Sequence, residues 1–190
     1  MSSIVGGVAL LFVVAGCDAT SERSGVPAPA AGPRPGGPTA AAPIALNSPD
    51  RIGPLTKAAD QTPAQTALKS LKQNSYKQAV ATFYVDGPDQ SHSVLIAGLV
   101  GEGANAPTDA DLDALIQLRV APGSTVQPTV VDKVNVGGVA KCIDSSTRTA
   151  KTYDCGWHKG SALLLAAFTN IEPAKAARLL PEILAATVKS

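Results

Sequence analysis

The chain has 190 residues, of which 45% are hydrophobic, 4% aromatic and 16% charged, and its formal net charge is +1. This length corresponds to about one ordinary domain with room for a tail. The apolar content excludes a wholly disordered chain. The near-neutral charge gives no electrostatic reason to expect nucleic acid as a partner. No apolar stretch reaches the roughly 18 to 20 residues that a membrane-spanning helix requires.

The N-terminal segment has the features of an export signal. Its first 16 residues carry no charge, and residues 4–15 form an apolar core with the length of a signal-peptide hydrophobic region. The core ends in Val14-Ala15-Gly16-Cys17, which resembles the lipobox of bacterial lipoproteins. The resemblance implies cleavage after Gly16, lipid attachment to Cys17, and a protein anchored on the extracytoplasmic face of the cell membrane. The alternative is a short buried helix that ends at an ordinary cysteine.

Residues 18–43 have a different composition, with six prolines and four glycines in 26 residues. Such a segment buries too little apolar surface to fold and favours extended geometry, so it predicts a disordered tether. Residues 44–190 are long enough to bury a core of their own. The predicted organisation is a signal peptide over 1–16, a lipidated Cys17 with its tether over 17–43, and one globular domain over 44–190.

The hydrophobic pattern of that domain predicts an α+β fold, in which about three helices pack on an antiparallel sheet of five or six strands. Thr62-Pro63-Ala64-Gln65 has a capping-box pattern with proline at the first helical position, which predicts a helix start. A second helix is predicted to begin at Thr108 and a third at Pro173. Pro181 lies inside the third pattern and is expected to kink or interrupt the helix.

Alternating and β-branched segments predict the strands in hairpin pairs. The run 162–168 is continuously apolar, which is typical of a central strand covered on both faces. The predicted pairs are 78–86 with 93–99, 129–136 with 139–144 through a two-residue turn at Gly137-Gly138, and 151–158 with 161–168 around Lys159-Gly160.

Cys142 and Cys155 remain once Cys17 is assigned to lipid. Outside the cytoplasm an even pair of cysteines is expected to oxidise, so a structural disulfide is predicted. The alternatives are a metal site, which would need two further ligands and finds only His158 nearby, and a redox dithiol, which would favour a Cys-x-x-Cys spacing. The sequence therefore predicts no metal and no cofactor.

Two histidines are the candidates for catalysis. Asp154, His158 and Ser161 contain the residue types of a nucleophilic triad, and His92 lies at the shoulder of the first hairpin. Three such residues within eight positions occur often by chance, and the sequence has neither a G-x-S-x-G elbow nor a glycine-rich oxyanion motif. We therefore predict that the protein has no catalytic residue.

Tyr153 and Trp157 are the only aromatic pair near a cysteine, and strand alternation places them on one face with Cys155. One interpretation is that they pack over the disulfide. The other is that Tyr153, Trp157 and the neighbouring His158 form an exposed binding surface.

Residues 136–142 (VGGVAKC) and Cys155-Gly156-Trp157 look like a two-cysteine pattern of secreted or membrane-tethered actinobacterial proteins of unknown function. In those proteins the pattern often continues with Ala-Asp, where this chain has His158-Lys159. The resemblance implies export and the α+β fold and adds no chemistry. The predicted function is a non-enzymatic binding or structural module of the cell envelope that contacts an envelope protein. The alternatives are an envelope hydrolase that uses His158 or His92, and a carrier of a small apolar ligand held between sheet and helix.

Overall fold

The structure is a computed structural model that describes residues 43–73, 75–88, 91–120, 127–131 and 134–189. The predicted signal peptide, Cys17 and the tether up to residue 42 lie outside the described residues and stay predictions. The chain from residue 41 onwards forms one compact unit. None of the described helices is long and apolar enough to cross a membrane.

Three α-helices and ten strands make up the described part of the chain. The helices are α1 (Thr62–Leu71), α2 (Asp109–Gln117) and α3 (Pro173–Thr187), with a 3-10 turn at Gly103–Asn105. The strands are β1 (Ala45–Leu46), β2 (Arg51–Ile52), β3 (Leu55–Lys57), β4 (Gln78–Val85), β5 (Ser93–Val100), β6 (Thr129–Val130), β7 (Val139–Asp144), β8 (Thr152–Lys159), β9 (Ala162–Thr169) and β10 (Val188–Lys189).

The strands form one large antiparallel sheet with the order β2-β3-β4-β5-β9-β8-β7-β6, and β1 pairs separately with β10. This confirms the α+β fold with three helices, but eight strands in the main sheet exceed the predicted five or six. The additional strands have only two or three residues each. A segment of that length is too short to show the period-two alternation from which strands are recognised.

Helices cover both faces of the sheet, and the central position predicted for 162–168 is confirmed. On one face Leu164 and Phe168 of β9 belong to the same buried cluster as Leu180 and Ile183 of α3. On the other face Leu163 packs in a second cluster with α2. Because successive strand residues point to opposite faces, β8 and β9 contribute side chains to both layers.

The start of α1 differs from the predicted capping box. Thr62 is already inside the helix, and the N-cap position is Gln61, whose side chain does not cap the helix. The Gln61 amide instead bonds the backbone of Phe83 on β4, with Nε2 donating to the carbonyl at 2.8 Å and Oε1 accepting from the N–H at 3.0 Å. A full capping box is found on α2, where Thr108 and Asp111 bond each other's backbone N–H groups.

Pro181 does not interrupt α3, which runs continuously from Pro173 to Thr187. A proline inside a helix removes the bond to the carbonyl four residues earlier. Leu180, Ile183 and Leu184 on both sides of the proline are completely buried. Their burial in the core stabilises the turns that flank the missing bond.

The strand pair 129–136 with 139–144 is confirmed only in part, because just Thr129–Val130 pairs with β7. The prediction of a two-residue turn at Gly137-Gly138 is therefore wrong, and a wider connection joins β6 to β7. Both glycines have left-handed backbone angles, with φ of +71° and +92°. The chain here passes directly against β8, since a Cβ atom on Gly138 would lie 2.4 Å from the carbonyl oxygen of His158.

The other two hairpins are confirmed. Strand β4 pairs with β5 along its whole length. Strand β8 pairs with β9 from Lys159 opposite Ala162, so the turn residues are Gly160-Ser161, one position later than predicted.

Candidate functional site

The two cysteines predicted to pair form a disulfide, and it links the centre of β7 to the centre of β8. Cys142 and Cys155 are direct register partners, their Cα atoms are 4.0 Å apart, and both residues are buried. Both sulfurs are therefore engaged with each other. Among the described residues, no group of three or more His, Cys, Asp or Glu side chains is placed to hold a metal ion.

The aromatic residues beside this disulfide lie mostly inside the protein. Trp157 is completely buried, and its indole Nε1 donates to the carbonyl oxygen of Gly137 at 2.7 Å. Tyr153 is partly buried and packs against the same core. Burial and the nearby carboxylate of Asp144 raise the pKa of Tyr153. The structure thus supports the packing interpretation for Trp157, whose ring presents no surface for binding.

His158 lies on the opposite face of β8 from Tyr153 and Trp157, so these three residues do not form one surface. Its Nδ1 is 2.7 Å from Oδ1 of Asp109, at the start of α2. Its Nε2 is 2.9 Å from the carbonyl oxygen of Pro107 and 2.9 Å from that of Gly160. Every one of these partner atoms is a hydrogen-bond acceptor. The imidazole is thereby fixed between β8 and the segment that leads into α2.

The residue types of the triad are present but are not brought together. The carboxylate of Asp154 is completely buried and accepts from Arg119, through Nε at 3.1 Å and Nη2 at 3.3 Å. The Ser145 hydroxyl donates to the same carboxylate at 2.5 Å. Ser161 lies in the turn between β8 and β9, where its carbonyl accepts from Gly101. Asp154 therefore orients Arg119 and not His158.

His92 lies just before β5, far along the chain from this region. It is exposed, and its Nδ1 is 2.9 Å from the Ser91 hydroxyl. Its backbone carbonyl accepts from the N–H of Asp86 and closes the hairpin. Asp89, the carboxylate closest to it in the sequence, lies outside the described residues.

Polar and charged side chains attach α2 to the sheet at three places, which together we call the α2 contact. His158 bonds Asp109 at the start of the helix, Lys141 of β7 pairs with Asp113 in its middle, and Arg119 just after its end pairs with Asp154. The pairs of Lys141 and Arg119 were not predicted from the sequence. Residue spacing could have indicated them, because Asp109 and Asp113 lie one helical turn apart and Asp154 and His158 lie on one face of a strand.

Helix α2 lies close to β8 because the β8 residue beneath the helix is a glycine. A Cβ atom on Gly156 would lie 2.5 Å from Cδ1 of Leu112 and 3.2 Å from Cδ1 of Ile116. These two residues are the buried side chains of α2. The helix thus packs directly onto the β8 backbone.

An open depression of about 350 Å³ lies beside α1. Its described lining is one side of the helix, formed by Gln65, Leu68, Lys69, Lys72 and Gln73. The exposed surface of this lining is mostly apolar, but it lies along one helix, whereas the predicted apolar ligand would be held between sheet and helix.

No family model, no curated protein and no solved structure matches this chain. The lipobox and the resemblance of the two-cysteine pattern stay predictions.

Proposed function

We propose that the protein is a lipid-anchored module on the extracytoplasmic face of the cell membrane, where it binds or supports another envelope component without catalysing a reaction. The observation that carries this proposal is the disulfide between Cys142 and Cys155 in a domain that follows the lipobox cysteine, Cys17. Disulfides persist in oxidising compartments and are rare in the cytosol. The disulfide thus supports export independently of the N-terminal sequence.

The engagement of the candidate catalytic groups supports a role without catalysis. A general base needs a free lone pair within hydrogen-bond reach of the substrate. Both ring nitrogens of His158 face acceptors of its own chain, and the carboxylate of Asp154 is taken up by Arg119 and Ser145. Using either group on a substrate would first require breaking the α2 contact.

The anchor is tested in the full-length chain with Cys17→Ala and with the double variant Cys142→Ala/Cys155→Ala. Cells are fed an alkyne fatty acid, and label and membrane fractionation are measured. We expect the wild type and the double variant to carry label in the membrane fraction. Cys17→Ala is expected to lose the label and leave the membrane. An unlabelled wild type, or Cys17→Ala that keeps its label, would refute the lipid anchor.

The binding role is tested by chemical crosslinking of intact cells followed by mass spectrometry. We expect an envelope protein to be recovered with the wild type at the same yield as with His92→Gln, because His92 is an exposed loop residue. Turnover of a cell-wall or ester substrate that His92→Gln abolishes without changing Tm would instead establish the hydrolase.

A further inference from the structure

The outer edge of β4 carries backbone groups that no described strand pairs. Strand β3 pairs with β4 only at Tyr84 and Val85. In an antiparallel ladder the N–H and C=O of alternate residues point to the same side. Since Phe83 bonds outward to Gln61 and to the N–H of Ala58, the backbone groups of Ala79 and Ala81 also point outward.

This open edge is short and bounded. At one end the Gln61 amide occupies both backbone groups of Phe83. At the other end the strand begins at Gln78, whose side chain is bonded to the backbone of Leu46. Between these limits the described part of the chain provides no partner for the two N–H and two C=O groups of Ala79 and Ala81.

The edge also lacks the features that usually prevent strand-to-strand association. Residues 78–82 (QAVAT) contain no charge and no proline, and residues 78–81 are partly exposed. Native sheets commonly protect such edges with lysine, proline or a bulge. The charged residues that flank this segment in the sequence are already paired within the chain, Lys77 with Glu102 and Asp86 with Lys175.

The segment is self-complementary when two copies run antiparallel about a twofold axis at Val80. In that register Ala79 of each copy lies opposite Ala81 of the other, and Gln78 lies opposite Thr82. The four outward N–H groups of the two copies then meet their four outward C=O groups. Centring the pairing on Ala81 would instead place Ala79 opposite Phe83, whose backbone is occupied by Gln61. A second copy of this edge would therefore satisfy each outward backbone group that the described part of the chain leaves without a partner at Ala79 and Ala81.

We propose that the protein forms a homodimer through this edge, with β4 of one copy paired antiparallel to β4 of the second copy and Val80 at the axis. The pairing joins two eight-stranded sheets into one continuous sheet. Because a twofold axis makes the contact isologous, the association closes at two copies. The proposal does not depend on the proposed function.

The test uses the full-length chain, with Val80→Cys treated with a mild oxidant. At a non-hydrogen-bonded pair the two Cα atoms are about 4.5 Å apart, within the range that a disulfide spans. We expect a crosslinked species of twice the monomer mass. The matched control is Leu118→Cys, since Leu118 is 81% exposed and directly follows the last residue of α2. Its yield is expected to be at least tenfold lower.

A second variant separates edge pairing from random collision. Ala81→Pro in the Val80→Cys background deletes an outward N–H that the fold does not use, and proline is tolerated at such edge positions. We expect the crosslink to disappear while Tm is unchanged. If Tm falls, Ala79→Pro replaces it, because it deletes the other outward N–H.

Three results would overturn the homodimer. These are equal crosslinking of Val80→Cys and Leu118→Cys, no crosslink at all, and a crosslink of Val80→Cys to a different protein. Crosslinking that survives a proline variant with unchanged Tm would also contradict it.

Discussion

The two adjacent glycines before β7 allow a sharp test of why the chain is held against β8. Gly137 and Gly138 both have left-handed φ angles, of +71° and +92°. Their surroundings differ, because a Cβ atom on Gly137 would meet only the Lys159 side chain, with Nζ at 3.6 Å. On Gly138 it would lie 2.4 Å from the backbone oxygen of His158 and 2.9 Å from Nε1 of Trp157. Alanine at these two positions therefore separates backbone strain from steric overlap.

The expected magnitudes follow from those distances. Alanine in the left-handed region costs about 1–2 kcal/mol, and the loss of glycine's freedom in the unfolded chain offsets about 0.4–1 kcal/mol of this. Gly137→Ala should therefore lower the free energy of unfolding by about 1 kcal/mol. Gly138→Ala has the same backbone strain and the same change in unfolded-chain freedom, and it also pushes the backbone away from β8. Trp157 then loses its acceptor on Gly137, and a buried unpaired donor costs about 1–3 kcal/mol.

The assay is thermal and denaturant unfolding followed by the fluorescence of Trp157, which is the only tryptophan in the chain. With the overlap included, Gly138→Ala should cost about 3 kcal/mol more than Gly137→Ala, which corresponds to a Tm about 10 °C lower for a domain of this size. Its native emission should shift to longer wavelength. Equal losses in the two variants would refute the reasoning, because the contact with β8 would then contribute nothing.

Three further predictions concern the disulfide, the buried ion pair and a buried tyrosine. Replacing both Cys142 and Cys155 with alanine should lower the free energy of unfolding by about 3 kcal/mol, given their separation of 13 residues, and reduction of the wild type should give the same denaturant midpoint. Arg119→Met leaves the buried carboxylate of Asp154 without its cation, and because the Arg119 side chain is 42% exposed, the cost in urea unfolding should be about 2–3 kcal/mol, below the roughly 3–5 kcal/mol of a fully buried pair. Adding Asp154→Asn should recover part of the loss, and a cost no larger than that of deleting an exposed charge would contradict this prediction. Burial raises the pKa of Tyr84 to about 12, so the stability that the neutral phenol contributes is complete below pH 10 and is lost as the pH rises through 12. Tyr84→Phe should abolish this part of the alkaline decline in Tm. An identical decline in the wild type and in Tyr84→Phe would count against this prediction.

The long elements of the fold were predictable because their patterns extend over many residues. Strands β4, β5, β8 and β9 have eight residues each, and their alternation or continuous apolar character is visible in the sequence. The two-residue strands β1, β2 and β10 were not predictable, since their pairing is decided by tertiary contacts. Strand β1, for example, is held to Gln78 through both amide atoms of a side chain 32 residues away.

Local signals failed where a tertiary contact used the same residues differently. The Thr62 pattern had the composition of a capping box, yet the neighbouring Gln61 is used to terminate the edge of β4. The Gly137-Gly138 pair had the composition of a hairpin turn. Both glycines do have positive φ angles, but this conformation allows the chain to approach Trp157 and β8 closely and does not form a hairpin turn. The glycine pair thus marked an unusual backbone conformation without its partner, and the capping-box pattern placed the N-cap one residue after Gln61.

The candidate catalytic residues were conspicuous in the sequence because α2 has little apolar surface with which to pack. Only Leu112 and Ile116 of this nine-residue helix are buried. Two such side chains are few for a helix that must remain on a sheet, so a hydrogen-bonded pair at its start and ion pairs in its middle and just after its end provide further contacts. His158 and Asp154 occupy alternate positions on the β8 face beneath α2 because the partners they reach, Asp109 and Arg119, lie at opposite ends of the helix. A triad needs a nucleophile, base and carboxylate that converge on one point. Side chains that attach a helix must instead be spread along its length, and the separation of Asp154 from His158 follows from that requirement.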